Sequence, residues 1–173
     1  MYKNILVTLD GSTASERVLS EVAKLDGQHL LKVTLLRVAE APEATAETPH
    51  PLVTAGAAAP GGVVAVPPPH TIEDRGRAFE RIRETMGSYL EAKARELKGL
   101  DCEIATEVRF GRPVEEIIAE AREKHADLIM MATHGHSALA RLVFGSVAAG
   151  VLRSGTVPVL LVRPERLREK DEP

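Results

Sequence analysis

Residues 126–147 read ADLIMMATHGHSALARLVFGSV, and the fold turns on how they are read. The first seven form an apolar run that suits a strand buried on both faces. The run empties into a loop holding Gly135, and Gly145-Ser146 then opens a short apolar pattern at helical spacing. A strand, a glycine loop and a helix beginning at Gly-Ser make a phosphate-binding arrangement. The leading N–H groups of such a helix have no partner within it, its dipole favours an anion, and glycine lets an oxygen approach the main chain. The competing reading makes Gly145-Ser146 a helix cap and Gly135 a turn, with no ligand. The local pattern does not separate the two.

Toward the C-terminus, Val147 to Arg153 continues as a helix closed by Gly155. Val157 to Val162 (VPVLLV) reads as the fifth strand, and Pro158, lacking an N–H, places it at a sheet edge. The tail RPERLREKDEP is a charge run beyond the core unit, which is expected to span 1–165 and leave 166–173 as tail. Toward the N-terminus, Pro113 at a first helical position, with Glu115 and Glu116 behind it, starts the helix carried by Val114, Ile117, Ile118 and Ala121. Cys102 to Val108 alternates as a strand. Ile72, Phe79, Ile82, Met86, Leu90, Ala94 and Leu97 mark a long amphipathic helix ending near Gly99, with RGRAFERIRE as a solvated face.

Residues 40–71, rich in Pro, Ala and Gly, carry no period and read as a mobile insertion rather than a lid. His50 and His70 lie in it without a carboxylate or thiol cluster, so they read as solvated loop residues rather than metal ligands. Before it come Leu31 to Val38 (LKVTLLRV), a second strand, and Asn4 to Leu9 (NILVTL), a first strand ending at Asp10-Gly11-Ser12. Thr13 and Glu16 have capping-box spacing, and Ala14, Val18, Leu19, Val22 and Ala23 continue one helix.

Strands alternating with helices of these lengths predict an α/β fold, an open five-stranded parallel sheet with helices on both faces. In such sheets ligands bind beyond the carboxyl ends of the strands, where strand order reverses. With strands one and four as neighbours, Asp10 and the Gly135 loop face one crevice. A carboxylate there accepts from ribose hydroxyls or an exocyclic amine, while Gly135 and Gly145-Ser146 hold phosphates.

Composition narrows the partners. A chain of 173 residues with 44% hydrophobic and 27% charged residues fits one soluble domain with a real core. Aromatics at 3%, no Trp and a net charge of −3 argue against nucleic acid. The lone Cys102 forms no internal disulfide and suits a reducing compartment. No stretch approaches the ~18 apolar residues of a membrane span. MYKNILVTLD lacks the apolar core of a secretion signal, so a cytoplasmic location is expected.

Two common nucleotide fingerprints are missing: no GxGxxG follows the first strand and no GxxxxGK[ST] occurs. The chain instead resembles the universal stress protein family, through NILVTLDGSTASERVL (4–19), LLRV (35–38) and ADLIMMATHGHSALARLVFGSVAAGVLRSGTVPVLLVRP (126–164). The ATP-binding branch of that family carries Gly, two residues, Gly, nine residues, Gly and Ser/Thr. Gly135, Gly145 and Ser146 match this pattern, and Ala132 stands in place of its first glycine.

The resemblance implies a Rossmann-like sheet ordered 3-2-1-4-5 and a homodimer through the fifth strand. It implies ATP as ligand, with AMP or ADP as alternatives and Mg²⁺ accompanying the phosphates. It puts Asp10 at the nucleoside end, Val38 beside the adenine, and Met131 and Ala132 by the ribose. Gly135, Gly145, Ser146 and Val147 fall where the phosphates are held, and Thr8 takes a base-site position that relatives fill with a small residue or proline. His134 and His136 flank Gly135 and read either as phosphate contacts or as exposed loop histidines. Ala132 continues an apolar strand, so extended backbone is expected there, with the methyl meeting only the ribose.

No general base aimed at a γ-phosphate, no placed arginine finger and no paired carboxylates for two metals can be found. The expectation is therefore a nucleotide-responsive regulatory and stress-adaptation homodimer with an unidentified protein partner. It is not an enzyme beyond slow incidental ATP hydrolysis. A dimeric interaction module of the same fold without nucleotide is the alternative. A flavoprotein of similar topology is disfavoured by the scarcity of aromatics to cover a flavin ring.

Overall fold

The structure, a computed structural model, describes residues 2–25, 31–40, 72–133 and 144–163. The expected insertion at about 40–71, apart from Glu40 and the start of the helix at Ile72, lies outside these residues, as does the tail at 166–173. The elements follow in chain order as β1 (Asn4–Thr8), α1 (Thr13–Glu16), α2 (Val18–Ala23), β2 (Leu31–Ala39) and α3 (Ile72–Glu96). Then come β3 (Cys102–Phe110), α4 (Pro113–Glu123), β4 (Leu128–Ala132), α5 (Ser146–Ser154) and β5 (Val159–Val162). The strands form one parallel sheet in the order β3-β2-β1-β4-β5.

The sheet has helices on both faces because successive residues of β1 point opposite ways and both sets are apolar. Leu6 packs with Leu36 and Ile129 under Ile117 and Ala121 of α4 and Ala148 and Val151 of α5. Ile5 and Val7 pack with Val33, Leu35 and Met130 under Val18, Leu19 and Val22 of α2, Leu90 of α3 and Leu97 just beyond that helix. Asp127 helps fix the β1–β4 register. Its carboxylate accepts from Lys3 N at 2.8 Å and Asn4 N at 3.2 Å, and its own N–H donates to Asn4 O.

Several boundaries depart from the sequence reading. The first helix is capped one residue early. Ser12, not Thr13, is the N-cap, its hydroxyl accepting from Ser15 N at 3.1 Å. The reason is the turn before it. Asp10 Oδ1 accepts from both Ser12 N and Ser12 Oγ, and Gly11 takes a φ of 86°, which swings Ser12 over the helix start. The helix is also broken at Arg17 into α1 and α2. Strand β3 runs on to Phe110, α5 begins at Ser146, and β5 begins at Val159 rather than Val157. Pro158 immediately precedes β5, which is an edge strand as its missing N–H demands. No helix of the described residues is long and apolar enough to cross a membrane.

One polar pin ties α1 to α3. Tyr89 Oη donates to Glu16 Oε1 at 3.1 Å, Lys93 Nζ pairs with Glu16 Oε2 at 3.0 Å, and the Arg37 guanidinium lies 4.9 Å from the Tyr89 ring centre. Burial, then the hydrogen bond to Glu16 and its charge, push the Tyr89 phenol from 10.0 up to about 12. A raised pKa means the folded state favours the protonated phenol. The stabilisation is therefore complete below pH 10 and is lost as pH rises through about 12. In a Tyr2→Phe background, ultraviolet titration is expected to show a tyrosinate midpoint near 12. Adding Glu16→Gln should lower it, and a midpoint unmoved by that change would detach Glu16 from the effect.

Candidate functional site

The chain leaves β1 toward β2 on one side and reaches β4 on the other, so β1 and β4 separate at their carboxyl ends. A cleft of about 160 Å³ opens at that split, on the face covered by α4 and α5. From β1 come Thr8 and, just beyond the strand, Leu9 and Asp10; from β2 come Leu36 and Val38. β4 supplies Met131 and Ala132, with Thr133 following, and α5 supplies Val147 and Ala148. Pro113 and Ile117 of α4 form the opposite wall, and Ser15 closes the end.

Six of the sequence candidates thus line one cleft: Thr8, Asp10, Val38, Met131, Ala132 and Val147. Gly145 and Ser146 adjoin it at the start of α5. His134 and Gly135, with His136, lie outside the described residues. Pro113 and Ile117 were missed as site residues, although Pro113 was recognised as a helix start. In a parallel sheet that helix begins at the same end where the strands finish, and this signal would have found them.

The start of α5 is locked to the end of β4. Thr133 N donates to Val162 O at 3.0 Å, and Gly145 N donates to Thr133 O at 2.7 Å. Gly145's own N–H is therefore spent, which removes it as an anion donor and makes it the N-cap, with φ −63° and ψ 159°. No side chain caps the helix, and the first α-helical bond runs from Ala149 N to Gly145 O. The N–H groups of Ser146, Val147 and Ala148 thus precede the first α-helical bond, at the positive end of the helix dipole.

The cleft is asymmetric in charge. Asp10 is the one acidic lining side chain, and no basic side chain lines the cleft among the described residues. Asp10 Oδ1 is engaged by Ser12, and its N–H donates to Ser15 Oγ at 3.3 Å, so the turn holds the carboxylate at a defined place. Most other lining groups are apolar. The arrangement suits a flat apolar body with polar groups near Asp10 and an anion near α5.

The two walls meet where α5 carries a glycine. A Cβ built at Gly150 would lie 2.6 Å from Val114 Cγ2 and 3.2 Å from Val114 Cγ1, closer than carbon atoms pack. Gly150 lets α5 approach α4 closely.

A family model described as the universal stress protein family matches residues 1–163. The chain belongs to the universal stress protein family. Universal stress protein YxiE of Bacillus subtilis is 30% identical over 94% of this chain and 100% of its own length. Universal stress protein MJ0577 of Methanocaldococcus jannaschii is 26% identical over 94% of this chain and 96% of its own. The MJ0577 structure superposes with a TM-score of 0.74, at 25% identity, covering 96% of this chain and 99% of that one. A family member from Arabidopsis thaliana solved with AMP bound gives a TM-score of 0.57 at 15% identity, covering 98% of this chain and 97% of that one.

Ala132 ends β4 in register with Val162. Among the described residues only His125 is a non-glycine with positive φ, so Ala132 carries no left-handed strain. Its methyl packs with the cluster of Ile5, Val7 and Leu9, on the face away from Met131. Alternation along β4 turns that methyl to the opposite face from the Met131 side chain, while Ala132 still lines the cleft. Ala132→Gly is expected to destabilise by ~0.5–1 kcal/mol through backbone entropy. Thermal melting checks it, and a stabilised glycine variant would reveal strain at this position.

Proposed function

We propose that this universal stress protein binds an adenine nucleotide at the β1–β4 split and acts as a nucleotide-responsive regulatory homodimer. ATP is the favoured ligand, with AMP or ADP as alternatives. The observation that carries the reading is the meeting of Thr8, Asp10, Val38, Met131, Ala132 and Val147 in one cleft against the amino end of α5. The apolar walls suit the base, Asp10 suits ribose hydroxyls, and the N–H groups of Ser146, Val147 and Ala148 suit phosphate oxygens. At about 160 Å³ the cleft takes part of a nucleotide, below the ~300–1,000 Å³ of a typical whole-ligand pocket, with the phosphates toward the α5 end.

The donor set also fits a divalent ion only through the phosphates, since Asp10 is a single carboxylate. Mg²⁺ would neutralise phosphate charge there. Among the described residues the lining side chains supply no group placed to activate water, and the proposed role is binding rather than catalysis, in a cytoplasmic setting. The core unit is 1–165, with the Pro/Ala/Gly-rich insertion at about 40–71 within it and the tail at 166–173 beyond it.

Titration calorimetry with ATP tests the site. Ser146→Ala removes one hydroxyl and is expected to weaken binding by ~1 kcal/mol, about fivefold. Asp10→Asn keeps the turn's acceptor but loses the charge, and should weaken binding at least as much. Ala132→Gly should change affinity by less than tenfold, below ~1.4 kcal/mol. Unaltered affinity in both of the first two variants sinks the site. A native chain that takes up no ATP at millimolar concentration belongs instead with nucleotide-free interaction modules.

The homodimer reading is supported by the outer edge of β5. Leu160 is 42% exposed and Leu152 38%, unusual for large apolar residues, beside an edge with unpaired backbone groups. Self-pairing of the stretch Val157 to Val162 would cover them. Lysine at both Leu160 and Val162 is expected to yield a monomer in sedimentation. A mass that stays dimeric moves the interface elsewhere.

A further inference from the structure

We propose that the Gly150–Val114 contact is the spacer that sets the width of the cleft, making position 150 a determinant of which bases it accepts. The proposal rests on the nucleotide reading above and concerns the selectivity of that site. Pro113 and Ile117 flank Val114 on one wall, and Val147 and Ala148 lie three and two residues before Gly150 on the other. The closest approach of α4 and α5 is thus built into the same turns that line the cleft.

The geometry leaves little slack. With a Cβ at position 150, Val114 Cγ2 would stand at 2.6 Å, Cγ1 at 3.2 Å and Cβ at 3.5 Å. Turning a Val114 methyl out of the way means leaving the one rotamer that a β-branched side chain strongly prefers in a helix. Relief has to come from moving the helices. The shift needed is about 1 Å, the gap between 2.6 Å and ordinary carbon contact at ~3.5–4.0 Å. α5 is tied to β4 through Gly145 and Thr133, and α4 packs its Ile117 and Ala121 into the sheet, so the displacement appears as a wider mouth. Glycine in the middle of a helix is otherwise disfavoured. Here it buys a narrow slot matched to an unadorned flat ring.

The test compares ATP with N6-benzyl-ATP by calorimetry on the native chain, Gly150→Ala, and Gly150→Ala with Val114→Ala. The native chain should prefer ATP at least tenfold. Gly150→Ala should reduce that preference at least tenfold, and the double variant should restore it, because smaller residues then meet at the contact. A folded Gly150→Ala chain with an unchanged preference overturns the proposal. Should that variant fail to fold, Val114→Ile lengthens the same contact and is expected to shift the preference the same way, with no shift counting against it. Crystal structures of the native and Gly150→Ala chains give the spacing directly. An unchanged α4–α5 separation overturns the proposal whether or not ATP binds, whereas a widened separation in a chain that ignores ATP overturns only the nucleotide reading.

Discussion

Strand β1 has no face or edge left for water, and the rest of the molecule is arranged by that constraint. Leu6 and Val7 are adjacent, point to opposite faces, and are both 0% exposed. β1 is also bonded along both edges, to β2 and to β4. A strand so placed needs helices above and below and parallel neighbours on each side, which excludes a one-sided antiparallel sheet. The crossovers then run to opposite sides of β1, and its carboxyl end becomes the only edge of the strand where neighbouring chain segments diverge. A crevice there follows from the central burial.

The walls of the crevice depend on where α4 lies, and a buried charge fixes that. Glu120 is fully buried in α4, with Oε2 accepting from Arg109 Nε on β3. Arg109 also pairs with Glu116 and Glu123, and Lys124 Nζ stands 3.7 Å from Glu120 Oε1, which has no hydrogen-bond partner. Removing one partner of a buried pair typically costs ~3–5 kcal/mol because the other charge stays buried. Sliding α4 along the sheet would part Glu120 from Arg109 in the same way. The helix carrying Pro113 and Ile117 is thereby held in register, while Gly150 settles its distance from α5.

The parallel sheet and the helices on each face were legible in the long apolar runs, whereas the strand order came from the resemblance to universal stress proteins that the spacing of Gly135, Gly145 and Ser146 carries. What escaped depends on three-dimensional neighbours. The cap at Ser12 comes from the Asp10 turn, which competes locally with the capping pattern Thr13 and Glu16 suggest. The extension of β3 to Phe110 follows from pairing with β2 through Ala39, together with an edge-on contact between Phe79 and Phe110 at 5.1 Å. The direction of the Ala132 methyl needed the register of β4, although alternation from Met131 already implied it. Gly150 looked like an ordinary helical glycine until Val114 was seen against it.

The charges of the crevice and its walls do different work under the proposed reading. Asp10 repels an anion and the amino end of α5 attracts one, so together they fix which way a nucleotide points. Neither is strong: an anion at a helix terminus gains ~0.3–1 kcal/mol. Micromolar affinity needs ~8 kcal/mol. A planar ring of aromatic side-chain size buries ~150–250 Å², which at ~25 cal/mol/Å² contributes about 4–6 kcal/mol. That larger share is realised only if both apolar walls touch the ring, because a gap of an ångström on one side forfeits its contacts. Orientation therefore belongs to Asp10 and α5, whereas affinity belongs to how closely the apolar lining fits around the ring.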